Sequence, residues 1–109
     1  MTIDENINDA RDAVCVANDA GRILMANKRF CKMFGFEQSE VKWHYLCDLY
    51  RHKEDFNLPQ ENPENEDVLR LRMRNRTGRT FPCVLTRRAT KSAEGIPVLL
   101  HSIQRVQRA

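Results

Sequence analysis

Short apolar runs and strong turn chemistry alternate along this chain, and the period of the apolar positions changes twice. Residues 13–18, AVCVAN, form an apolar run with β-branched residues, Asp19-Ala20-Gly21-Arg22 interrupts it, and ILMA at 23–26 resumes it. That pattern predicts a β-hairpin. Asn27 is then a good N-cap, Phe30, Met33 and Phe34 fall at i, i+3 and i+4, and Gly35 stands where a left-handed residue stops a short helix. Phe36 and Val41 are spaced as a hydrophobic staple across the start of a second short helix, with Glu40 as its N3 acid. Leu46, Leu49 and Tyr50 continue the apolar stripe.

The segment 51–66, RHKEDFNLPQENPENE, holds two prolines and many acidic or asparagine residues, so it reads as a loop with at most one helical turn. It is expected to be the most mobile element. After it the period becomes two: Leu69, Leu71 and Met73 alternate with Arg70, Arg72 and Arg74. Asn75 to Arg79 is a turn, TFPCVLTRRAT the next strand, Ser92 to Gly95 another turn, and PVLLHSIQRV the last strand. The predicted order is two strands, short helices, three strands.

Turn positions also predict register. A turn centred near Thr77 sets Met73 opposite Phe81, Leu71 opposite Cys83 and Leu69 opposite Leu85. A turn centred near Glu94 sets Arg87 opposite His101 on the same face, with Leu99 and Ile103 beside them. One face is therefore apolar except where an arginine meets a histidine.

Composition narrows the function classes. With 109 residues, 41% hydrophobic and 30% charged, the chain has the length and make-up of one globular domain. No apolar run approaches the ~20 residues of a membrane span, and the polar, acidic start MTIDENINDARD is unlike a signal peptide. A cytoplasmic location is expected. The net charge of +3 comes from interspersed charges rather than a basic tail, which gives little reason to expect nucleic acid. Cys15, Cys31, Cys47 and Cys83 are scattered without a C-x-x-C pair, so neither zinc spacing nor a disulfide framework is present. No phosphate loop, nucleophile motif or metal-binding His and carboxylate spacing occurs, and catalysis is not expected.

The order of elements, with these residues, resembles a PAS domain. The resemblance is carried by DAVCVANDAGRILMANKRFCKMFGF, SEV, DLYRHKED, NRTGRTFPCVLTRRA and GIPVLLHSIQRV, and covers Asp12 to Val106. It implies an α+β fold: a five-stranded antiparallel sheet in the order 2-1-5-4-3, with short helices packed on one face and a small-molecule pocket between. Residues 1–11 would be an N-terminal cap, 12–106 the domain and 107–109 the start of a linker to a downstream effector. PAS domains are sensor and dimerisation modules of histidine kinases of two-component systems, cyclic-dinucleotide enzymes and transcription regulators, and are not usually enzymes themselves. The sequence departs from the family pattern in four places: Trp43 where glycine is frequent, Asn18 where aspartate is frequent, a proline-containing loop in place of the long F helix, and Arg105-Val106-Gln107 in place of a terminal Asp-Ile-Thr.

A sensory role would place the ligand on the apolar face, among Leu69, Leu71, Met73, Cys83, Leu85, Leu99 and Ile103, with Arg87 and His101 receiving an anionic or polar group. The alternative is that Arg87 reaches solvent or a carboxylate such as Asp48 and that His101 is a satisfied core histidine. Haem-binding relatives carry their histidine on the long F helix, whereas no histidine lies here between His52 and His101. Flavin-binding LOV domains need a cysteine where this chain has Leu46, and Cys47, one residue later, would point about 100° away on a helix. The cofactor is therefore left open, with haem and a covalent flavin adduct both disfavoured. On the opposite face Arg70, Arg72, Arg74 and Arg88 accompany Val84, Val98 and Leu100, a mixture usual at interfaces. A homodimer is expected, residues 1–11 packing over Val84, Val98 and Leu100, while the arginine run also suits a charged edge that blocks sheet extension. Trp43 is read as a packing or interface residue.

Overall fold

The computed structural model describes residues 12–54 and 67–106. The first hairpin forms as its turn chemistry requires. Strands β1 (Ala13–Ala17) and β2 (Ile23–Ala26) pair antiparallel, and the Asn18 Oδ1 between them accepts from the backbone N–H of Ala20 at 3.0 Å and of Arg22 at 2.9 Å. An asparagine side chain thus supplies the acceptors that close the turn.

Asn27 does more than cap the helix α1 (Lys28–Phe34) that follows. Its Oδ1 accepts from Phe30 N–H at 2.9 Å and from Val14 N–H at 3.0 Å, while its Nδ2 donates to the Asp12 carbonyl at 2.8 Å. One buried amide therefore joins the helix start to β1. Gly35 ends the helix at φ +83°, its N–H donating to the Cys31 carbonyl at 2.8 Å. A side chain there would meet ordinary van der Waals contact at 3.6 Å, so backbone conformation rather than space calls for glycine.

Beyond Gly35 the expected second helix takes a different form. Glu37 N–H does reach the Glu40 carboxylate at 3.1 Å, as the staple and N3 acid imply. Yet the chain makes two 3-10 turns, Val41–Trp43 and Leu46–Leu49. The physical reason is competition: between the two turns, the His44 carbonyl accepts from Ile23 N–H at 3.1 Å and Leu46 N–H donates to the Gly21 carbonyl at 2.7 Å. Backbone groups spent on the hairpin cannot continue a helix.

Strands β3 (Asp67–Arg74), β4 (Thr80–Lys91) and β5 (Pro97–Arg105) complete a five-stranded sheet in the order β2-β1-β5-β4-β3, every pair antiparallel. The register agrees with the turn arithmetic: Met73 faces Phe81, Leu71 faces Cys83, Leu69 faces Leu85, and Arg87 faces His101. On the concave face, Phe30, Phe34 and Phe81 stack in series at 4.7 and 5.6 Å over Leu46, Met73, Leu85 and Ile103, all essentially removed from water. Each such side chain contributes about 1.5–3 kcal/mol. On the outer face a second cluster buries Val14, Val16 and Val98, with Met25 and Leu100 packed against it.

The expectations that concern residues 1–11, the linker at 107–109 and, beyond Glu54, the loop expected over 51–66 lie outside the described residues. Among the described residues no helix is long and apolar enough to cross a membrane.

Candidate functional site

Period-two alternation on β4 and β5 turns Arg87 and His101 to the same side as Cys83, Leu85 and Ile103. Both are buried: Arg87 is 5% exposed and His101 0%. Arg87 is therefore not at a solvated rim, and Asp48, the carboxylate considered for it, pairs with Lys53 at 3.0 Å. β1 adds Cys15 directly opposite His101, so three adjacent strands bring thiol, imidazole and guanidinium into one row.

The helical layer adds a hydroxyl to this row. Tyr50 follows the second 3-10 turn, bridges to Met73, and is fully buried. Its Oη lies 2.9 Å from His101 Nε2, with the rings edge-on at 71°. Sequence reading counted Tyr50 only as part of an apolar stripe. The missed signal was the hydroxyl itself, since a buried tyrosine needs a polar partner.

Burial, and secondly the adjacent Arg87 charge, push the His101 pKa down to about 3. The imidazole is thus neutral at physiological pH and can offer one donor and one acceptor. Burial also pushes the Cys15 thiol far above its ordinary range, and Cys83 up to about 11. Neutral thiols are poor nucleophiles, so this row suits recognition rather than covalent chemistry. Among the described residues no group of His, Cys, Asp and Glu could hold a metal ion.

Leu99 takes its place opposite Ala89 and Ala17, and Leu69 and Leu71 lie partly buried against the core. Leu46, at the position of a flavin-reactive cysteine, is fully buried, while Cys47 is half-buried beside it. His52 is exposed. Two open clefts, of about 350 and 380 Å³, are lined by neither Arg87 nor His101; the larger has Arg29, Lys32 and Arg105 around Met33 and Ile103. On the outer face Val84 and Leu100 are half-buried and Val98 is buried, and Trp43 projects from the first 3-10 turn with 73% of its surface exposed.

A family model described as PAS fold matches residues 3–106. Solved structures share the architecture at low identity. A PAS domain from a two-component sensor histidine kinase superposes with a TM-score of 0.75 at 20% identity, covering 94% of this chain and 91% of that one. The PAS domain of an HTR-like protein from Haloarcula marismortui gives 0.77 at 20%, covering 92% and 85%. That of a LuxR-family transcriptional regulator from Burkholderia thailandensis, in complex with ethanol, gives 0.73 at 14%, covering 97% and 98%. No curated protein matches the sequence.

Proposed function

This chain belongs to the PAS family, and from that premise we propose that it is a non-catalytic sensory module of a multidomain signalling protein. In this reading a small anionic or polar ligand meets Arg87, His101 and Tyr50 at the seam between sheet and helical layer. The single observation that carries it is the buried polar row: a guanidinium and a neutral imidazole on facing strand positions, with a tyrosine hydroxyl brought to the imidazole from the other layer. A few convergent polar groups set in an apolar surround are the usual source of orientation in small-ligand sites. Leu69, Leu71, Met73, Cys83, Leu85, Leu99 and Ile103 would supply the apolar surround. The ethanol complex of the Burkholderia thailandensis domain is consistent with small polar ligands in this fold.

β5 carries both His101 and the exit of the domain, so a shift of His101 on binding would pass along that strand to an effector beyond it. The effector would be a histidine kinase, a cyclic-dinucleotide enzyme or a transcription regulator. Isothermal titration of the purified domain with acetate, succinate and other small carboxylates is the test. Binding that Arg87→Ala abolishes supports the reading; binding that survives Arg87→Ala unchanged removes Arg87 from the site.

A second reading, a ligand-free module for homodimerisation or protein docking, is favoured by one observation. Phe30, Phe34, Leu46 and Tyr50 already fill the concave face with no exposed surface. In that case Val84, Val98 and Leu100 would form the dimer face in a cytoplasmic protein. Sedimentation equilibrium at high micromolar concentration separates the two, a monomer that binds carboxylates leaving only the sensory reading.

A further inference from the structure

At the end of the sheet where β1 begins and β5 runs out, an open cleft of about 380 Å³ lies between the sheet and α1. Each wall has its reason in the sequence. On α1, Phe30 and Phe34 turn into the core, and Arg29, Lys32 and Met33, at i, i+3 and i+4, form the neighbouring stripe that lines the cleft. On β5, alternation sets Ile103 and Arg105 on the same side as His101. Ile103 is fully buried beneath the cleft, and Arg105, at the last position of the strand, is exposed at its edge.

Arg105 is positioned by the core. Its guanidinium carbon lies 4.9 Å from the centre of the Phe81 ring, and Phe81 in turn packs on Phe34 of α1 at 5.6 Å. A guanidinium laid over a ring keeps its planar fork of donors. The carboxylate in the described lining, Asp12, is engaged on the other side of β5: it accepts from the Ser102 hydroxyl at 3.2 Å and from Gln104 Nε2 at 3.1 Å, and these two residues alternate with Ile103 and Arg105.

We propose that this cleft is a binding site for a small phosphate monoester with a compact apolar body, separate from the buried row of Arg87, His101 and Tyr50. Three cations from two elements, Arg29 and Lys32 on the helix and Arg105 on the strand, exceed what one carboxylate can engage. A phosphate monoester presents three acceptor oxygens and a charge of about −1.5 to −2 at neutral pH. Each arginine can offer it two parallel donors and the lysine a point charge. Met33 and Ile103 give the apolar body a surface to rest on. The volume falls at the lower end of the ~300–1,000 Å³ usual for small-molecule sites, which suits one compact molecule. Occupancy would tie the end of β5 to α1, so this site would act on the same strand that carries His101.

Isothermal titration of the full chain with phenyl phosphate at low salt is the test. Saturable binding is expected, weakened at least about tenfold in Arg29→Gln/Arg105→Gln and weakened by added salt, because exposed charges are screened. Arg87→Ala should leave it unchanged, which separates this cleft from the buried row. Phenol, which lacks the anion, and inorganic phosphate, which lacks the apolar body, should both bind more weakly than the ester. If loss of the Phe81 contact lowers the melting temperature of the first variant, Arg29→Gln/Lys32→Gln, with both positions exposed on α1, makes the same test. Absence of saturable binding, equal binding by the folded double variant, loss of binding in Arg87→Ala, or phenol or inorganic phosphate binding as tightly as the ester would each overturn the proposal. So would co-sedimentation with phosphatidylglycerol vesicles that the free ester does not compete away, which would assign the cations to a lipid surface.

Discussion

Arginine occurs on both faces of the same sheet, in neighbouring positions of one strand, under opposite physical conditions. Arg87 sits 5% exposed on the concave face beside a neutral histidine, whereas Arg88, the next residue, is exposed on the outer face beside Leu100. A one-residue step reverses the side of a strand, and with it the dielectric around the charge. On the concave side, polar groups must be arranged by the protein: Tyr50 reaches His101, and Arg87 helps to hold the imidazole neutral. On the outer side water solvates the guanidinium.

The sharpest way to break this contrast is to truncate successive apolar residues of β4. Leu85→Ala, at a fully buried concave position, should cost about 2–5 kcal/mol, and Val84→Ala, half-buried on the outer face, less than about 1 kcal/mol. Urea denaturation measures both. Equal costs would mean that the two faces are equally buried, and the contrast would fail.

Next in size is the pH dependence of folding. His101 stays neutral down to about 3 when folded, while a histidine in the unfolded chain takes up its proton near 6.5. Between those values the unfolded state binds more protons, so stability is lost as pH falls below 6.5, with a slope approaching about 1.4 kcal/mol per unit. Denaturation midpoints at pH 7, 6 and 5 should show the fall in wild type and a shallower one in His101→Gln. An identical slope in both would place the titrating group elsewhere.

A smaller effect is expected from Tyr50→Phe, which removes the 2.9 Å bond to Nε2 at a cost of about 1–1.5 kcal/mol. It should also raise the sensitivity of any carboxylate binding to Arg87→Ala, because two of the three polar groups would then be gone. The smallest change is expected at the exposed outer arginines: Arg70→Gln or Arg88→Gln should move stability by no more than about 0.5 kcal/mol, read from urea denaturation. A large loss of stability there would mean that these residues are structural.

Much of this molecule was legible one residue type at a time. Asn27, Gly35 and the Asn75 and Ser92 turns act locally, through hydrogen bonds and backbone angles set within a few residues, and the turn centres then carry the register as far as Arg87 opposite His101. The second helix was not legible, because bonds from His44 and Leu46 to a hairpin some twenty residues earlier compete with helical ones. Tyr50 was hidden for the same reason: its role depends on His101, fifty-one positions away.

By itself, then, the sequence determined the strands, their order of appearance, the capped helix and the facing of Arg87 with His101, since periodicity and turn length are short-range properties. Only the tertiary structure decided that these two are buried, that Tyr50 joins them, and that Arg74, alternating with Met73 on β3, turns its guanidinium to the Asp48 carbonyl at 3.3 Å. Burial and charge pairing depend on what lies across the core or the sheet, and that distance is closed by folding alone.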